Sequence, residues 1–137
     1  MKRGVFVSGC ILLASTLVFA AGSKSDAAWV GVWHGELDGQ PSVLLTLADD
    51  GGSLGGTFVL DIVSRDDRPA RVIAAEPHVL LNPRVDGSTL SFEAMRLDRS
   101  QEPMTFTVTL GGNGKAEIHC VNCKNAPVVE LQKEQYR

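Results

Sequence analysis

The chain has 137 residues, the length of one ordinary domain. Apolar residues make up 44% of it, enough for a hydrophobic core, so a wholly disordered chain is excluded. Only 6% of the residues are aromatic and the formal net charge is −3. This balance argues against nucleic acid and against an anionic membrane surface as partners.

The first twenty residues have the features of a cleavable export signal. Lys2 and Arg3 form a short basic region, and residues 4–19 follow without a single charge. Two alanines stand at the end of this run, where a signal peptidase accepts small residues. Because a spanning helix needs about 20 apolar residues, the run is too short for a membrane anchor. We predict a signal peptide over residues 1–20.

Cys10 offers an alternative, because residues 7–10 resemble the lipobox of bacterial lipoproteins. The apolar run continues well past Cys10, however, and the part before it is shorter than the usual apolar region of a signal. We therefore favour cleavage over lipidation, followed by a short polar linker over 21–28 and one domain over 29–137. The expected product is exported, periplasmic or extracellular, without stable membrane insertion after processing. Its 11 cations against 16 anions give a net charge of −5.

The rest of the chain has the pattern of β-strands. Short apolar runs, separated by Gly, Asp, Asn and Pro, recur at spacings of roughly 8–12 residues. The predicted strands cover 28–37, 42–48, 54–64, 70–75, 78–81, 89–97, 104–110 and 115–120, with a ninth at 128–133. We expect the two segments between 70 and 81 to be pieces of one strand interrupted at Glu76 and Pro77.

Alternation along the strands predicts a curved sheet with one buried face. In residues 104–110, large apolar side chains alternate with threonines. In residues 89–97 the apolar phase switches, which predicts a one-residue bulge near Ala94. Glycine-containing turns between most strands favour consecutive hairpins. We predict an all-β fold, a single antiparallel up-and-down β-barrel of about eight strands, because a closed barrel leaves no exposed edges.

A family resemblance appears on the first predicted strand. Residues 31–33 read Gly-Val-Trp, and a glycine-rich segment at 52–58 follows some twenty residues later. These features resemble the calycin barrels (lipocalins, fatty-acid-binding proteins and avidins), most closely a group of small exported bacterial lipocalin-like proteins. The resemblance implies that Trp33 packs across one end of the barrel, with Lys133 or Arg137 as the cation that caps it. The Thr-Asp-Tyr motif of lipocalins and the further tryptophans of the avidin biotin site are absent.

Cys120 and Cys123 are the only cysteine pair left after processing. In an exported protein the default for such a pair is a disulfide. A redox-active pair usually lies at a helix N-terminus, whereas this one follows a predicted strand. His119 is adjacent, but structural zinc needs four ligands and the other histidines are scattered. We predict a structural disulfide, no metal and no cofactor, with a redox or metal-binding pair and free thiols as the alternatives.

Phe58, Phe92 and Phe106 lie on the inward faces of three different predicted strands. In an eight-stranded barrel the core and the ligand cavity are the same space, so these three and Trp33 are the candidate ligand-binding residues. Residues 51–55 match the G-x-S-x-G pattern of hydrolases, but they fall in a hairpin turn with no helix after it. No catalytic residue can be singled out.

We therefore expect a non-catalytic, lipocalin-like binding protein that holds a small apolar or amphipathic ligand in its barrel. The first alternative is an envelope interaction module or inhibitor with a solid core, acting through the outward-facing Val30, Val32, Val59 and Val63. The second alternative is a small barrel enzyme. Oligomeric state and any protein partner are open at this point.

Overall fold

The computed structural model describes residues 24–136, apart from 65, 67, 68, 99 and 100. The signal peptide expected over 1–20 lies outside these residues. A single helical turn, α1 (Lys24–Ala27), lies inside the segment expected to be a polar linker. In the described part of the chain, no helix is long and apolar enough to cross a membrane.

Nine antiparallel strands form one sheet, which confirms the expected all-β, antiparallel fold. The strands are β1 (Gly31–Leu37), β2 (Gln40–Asp50), β3 (Ser53–Ser64), β4 (Arg71–Val79), β5 (Leu81–Asp86), β6 (Thr89–Ala94), β7 (Met104–Gly112), β8 (Lys115–Cys120) and β9 (Val129–Lys133). Their order across the sheet is β4-β3-β2-β1-β9-β8-β7-β6-β5. Strands that are consecutive in the sequence are therefore mostly neighbours in the sheet, and the pairing of β1 with β9 joins the first strand to the last.

The sheet curls because its two edge strands are consecutive in the chain. Only Leu80 separates β4 from β5, and the chain changes partner there, pairing with β3 before it and with β6 after it. The backbone amide of Leu80 donates to the carbonyl of Gly56 at 3.1 Å, which holds this corner against β3. Gly56 also approaches β2 so closely that a side chain there would collide with the carbonyl oxygen of Thr46.

The expected interruption at Glu76 and Pro77 is wrong, because β4 continues through both residues and Pro77 pairs with Val59. Proline removes a backbone donor, but an edge strand needs ladder hydrogen bonds on one side only. The break between the two strands lies at Leu80. The strand that follows it is β5, and the sequence pattern places only its first residue, Leu81, in a strand. A positive φ of 49° at Asn82 and a bulge before Arg84 distort the start of β5, so its alternation is hard to recognise.

The bulge expected near Ala94 is also wrong. β6 ends at Ala94, which pairs in regular register with Met104. Met95 and Leu97 lie beyond the strand and are exposed, so the change of phase marks the end of the strand. Bulges occur elsewhere, and the one between β1 and β2, at Gly35 and Glu36, shapes the site described below.

The apolar residues of the strands converge on the inner face of the curled sheet. Burial alternates with period two in β6 and β8, where every second residue is buried. The largest fully buried side chains are Trp29, Trp33, Phe58 and Phe92. They belong to one continuous hydrophobic core that involves both halves of the sheet.

Candidate functional site

An apolar pocket of about 250 Å³ lies on the inner side of the sheet near the end of β1. Leu37, Val43 and Leu60 line it from β1, β2 and β3, and Phe106 and Ile118 line it from β7 and β8. The other lining residues are also apolar, except for the disulfide and two polar residues described later. Walls of this composition suit an apolar guest, because they offer dispersion contacts and few hydrogen bonds.

The disulfide between Cys120 and Cys123 forms part of the pocket wall, and its Cα atoms are 5.5 Å apart. This confirms the expected pairing. The intervening Asn122 ties the turn to the start of β7. Its side-chain oxygen accepts from the amide of Thr105, and its side-chain nitrogen donates to the carbonyl of Pro103, both at 2.8 Å. The wall on this side is therefore held by one covalent bond and two hydrogen bonds.

The hairpin of β3 and β4 borders the pocket mouth on the other side. Ile62 and Val63 line the pocket and are only half-buried. Opposite them, residues 71–75 of β4 are all exposed, so β4 leaves this side of the pocket uncovered. Pro127, in the segment before β9, lines the mouth from across the pocket and is exposed as well. The pocket is thus accessible from solvent between these two segments.

The start of β1 is closed by two tryptophans. Trp29 and Trp33 are fully buried with ring centroids 6.1 Å apart, and Nε1 of Trp33 donates to the carbonyl of Trp29 at 2.9 Å. Lys133 lies over the Trp33 ring, with Nζ 5.4 Å from the centroid, and donates to the carbonyl of Ala28 at 2.9 Å. Trp33 is near the first residue of β1 and Leu37 is its last, so this closed end and the pocket lie at opposite ends of the strand.

Three of the four expected ligand-binding residues form one aromatic cluster. Phe58 lies 5.6 Å from Phe92 and 4.9 Å from Phe106, and the last two rings are 5.2 Å apart. Phe106 lines the pocket, whereas Phe58 and Phe92 pack behind it as core. Trp33 belongs to the closed end. Contact of any of the four with a ligand remains a prediction.

Four pocket residues had no signal in the sequence that sets them apart: Leu37, Ser42, Ala126 and Pro127. They stand near strand ends or in loops, where only long-range register decides what faces the interior. In the described part of the chain, no three His, Cys, Asp or Glu residues are grouped so that they could hold a metal ion.

Among the described residues, the buried polar ones are Ser42, in the pocket lining, and His78. His78 stacks on Phe58 at 5.1 Å between ring centroids, and its Nε2 lies 3.7 Å from Oε2 of Glu76 without a hydrogen bond. The open cleft beside it is lined by Arg96 and by several apolar residues. Glu76 lies beside His78 but does not line this cleft.

No family model, no curated protein and no solved structure matches the chain.

Proposed function

We propose that this is an exported, non-catalytic, lipocalin-like binding protein that holds a small apolar or amphipathic molecule in the pocket beside β1. The observation that carries the proposal is the cavity of about 250 Å³ with almost entirely apolar walls. Concave apolar sites with few polar groups are the usual form of small-molecule sites. Packed cores, by contrast, have few voids larger than a water molecule.

The volume limits the guest to a small molecule. A dry cavity of about 150 Å³ binds benzene, so by proportion this one has room for roughly ten carbon atoms. At about 0.8 kcal/mol for each buried CH₂, such a guest gains roughly 8 kcal/mol of transfer free energy. Association costs at least about 4 kcal/mol of this. The difference is at most about 4 kcal/mol, so we expect a dissociation constant of about 1 mM or weaker for a guest of this size.

Several features support a lipocalin-like half-barrel, which is open between the edge strands β4 and β5. The β1–β9 pairing joins the first and last strands, and Leu80 connects the two edge strands directly. The position of Lys133 over Trp33 agrees with the capped tryptophan of the calycin resemblance. The disulfide supports export, because such bonds persist in oxidising compartments.

The first alternative, an interaction module acting through four outward valines, has less support. Val30, Val32, Val59 and Val63 are all half-buried. The exposed apolar residues lie instead mainly on β4 and in loops, and the edge of β4 carries Pro77 and a bulge. Both features discourage the addition of another strand.

The test uses naphthalene, a neutral ten-carbon probe, titrated into isotope-labelled protein and followed by NMR. We expect shifts for Val43, Leu60 and Phe106 but not for Trp33. Ala126→Trp, which adds a large ring at the pocket wall, should abolish these shifts. Ala48→Trp, at an exposed site on β2 outside the pocket, is the matched control and should retain them. Absence of pocket shifts in the unmodified protein would refute the proposal.

A further inference from the structure

A bulge between β1 and β2 turns one serine into the apolar pocket. Gly35 pairs with Val43 and Glu36 pairs with Pro41, so Ser42 is the extra residue of the ladder. Strict alternation would place Ser42 and Val43 on opposite faces, but the two are 4% and 5% exposed and both line the pocket. Bulges commonly redirect a side chain in this way beside functional sites.

The hydroxyl of Ser42 makes no hydrogen bond to the residues that the structure describes. The residue as a whole is 4% exposed, but its Oγ is not among the fully enclosed atoms that lack a partner, so this atom is open to the pocket. A polar atom that faces a cavity in this way can bind water or a polar group of a guest. A guest molecule with a polar group at this point of the wall would supply the missing partner.

Asp61 is the other polar residue of the pocket lining and lies close to Ser42. The last paired residues between β2 and β3 are Val43 and Leu60, and Ser42 and Asp61 are the next residue along each strand. β3 pairs regularly here, so the side chain of Asp61 lies on the face opposite to those of Leu60 and Ile62, and Asp61 adds no carboxylate to the apolar wall. None of the described residues in the pocket lining is a lysine or arginine that could pair with an anionic head group, so a fatty-acid-like guest is disfavoured. A hydroxyl both donates and accepts, and it can therefore satisfy Ser42 without carrying charge.

On the basis of the proposed binding function, we infer that the pocket takes an uncharged apolar molecule with a single hydroxyl group, which forms a hydrogen bond with Ser42. The apolar body fills the space against Phe106 and Ile118, and the hydroxyl lies at the bulge. The inference separates this site from one for plain hydrocarbons and from one for carboxylates.

The experiment compares three probes that share one ring system: naphthalene, 2-naphthol and 2-naphthoate at neutral pH. Ser42→Ala should weaken 2-naphthol binding about three- to tenfold and change naphthalene binding less than about twofold, as expected for the loss of one neutral hydrogen bond. Ser42→Thr keeps the hydroxyl and should keep the preference. Ser91→Ala, at a half-buried serine of β6 outside the pocket, is the matched control and should change neither affinity.

The charge argument is tested with the same probes. The unmodified protein should bind 2-naphthoate at least about tenfold more weakly than 2-naphthol, because the charged head group loses water and gains no cation in the described lining of the pocket. If naphthalene binds but Ser42→Ala affects both neutral probes equally, or neither, the hydroxyl inference fails while the binding function stands. If none of the probes binds, the proposed function itself fails.

Discussion

Truncation of Phe92 and truncation of Phe106 should lower the free energy of unfolding by different amounts. Phe92 is 1% exposed and packs between Phe58 and Phe106 without lining the pocket. Phe92→Ala leaves a closed void in the core, so it should destabilise the protein by the full cost of such a change, about 3–5 kcal/mol. Total stabilities of single domains are about 5–15 kcal/mol, so this is a large share.

Phe106→Ala should be less costly because one side of that ring already faces the pocket. The truncation enlarges an existing accessible space and does not create a closed void. The loss should therefore be close to the transfer free energy of the side chain alone, about 2–3 kcal/mol. The variant should also accept a larger guest than naphthalene.

Urea unfolding of both variants, followed by tryptophan fluorescence, measures the difference. Trp29 and Trp33 lie at the closed end of β1, and their rings do not contact those of the three phenylalanines. Their fluorescence therefore reports global unfolding and not the local change at the truncated ring. We expect a lower midpoint for Phe92→Ala than for Phe106→Ala with unchanged m-values. Equal costs, or a greater cost for Phe106→Ala, would show that Phe106 is enclosed core and that the pocket lies elsewhere.

Three further perturbations test other parts of the structure. Gly56→Ala should lower the free energy of unfolding by at least about 1–3 kcal/mol, because the added methyl group meets the backbone of β2. Gly55→Ala is the control: the space around Gly55 is open, so thermal unfolding should show a neutral or slightly stabilising effect. Lys133→Met should lower the free energy of unfolding by about 1–2 kcal/mol and alter the fluorescence of Trp33. Lys115→Met, which removes an exposed ion pair, is the control and should lower the free energy of unfolding by less than about 1 kcal/mol. Replacing both cysteines of the disulfide by alanine should lower the free energy of unfolding in urea by about 2 kcal/mol and weaken naphthalene binding. If neither value changes, the turn after β8 keeps its position without the disulfide.

Much of the fold follows from local patterns. In β7 the large residues Met104, Phe106 and Val108 alternate with threonines, and the structure buries these three. Such alternation is a property of neighbouring residues, so a single sequence shows it. The disulfide follows similarly from spacing and from the expected compartment.

The corner of the sheet could not be located in this way. Pro77 looks like a strand breaker, but it is tolerated because β4 is an edge strand, and edge position depends on the whole sheet order. Leu80, where the chain changes partner, looks like any other core leucine. The alternation predicts which residues are buried but contains no information about the strand that lies next to them.

The pocket depends still more on long-range register. Ser42 turns inward only because β1 and β2 slip by one residue at Gly35, beside a close contact with β9. A methyl group on Gly35 would approach Val129 and Leu131 to under 3 Å. That three-strand contact joins residues about 95 positions apart, and no local pattern reveals it.

The antiparallel pairing of β1 with β9 has a consequence for how the protein can be attached to a surface. The first residues of β1 and the last residues of β9 lie side by side, and the amide of Glu134 donates to the carbonyl of Val32 at 2.8 Å. The chain therefore enters β1 and leaves β9 on the side that the tryptophans close. A surface or module attached directly before β1 or directly after β9 would lie away from the opposite opening and leave entry to the cavity unobstructed.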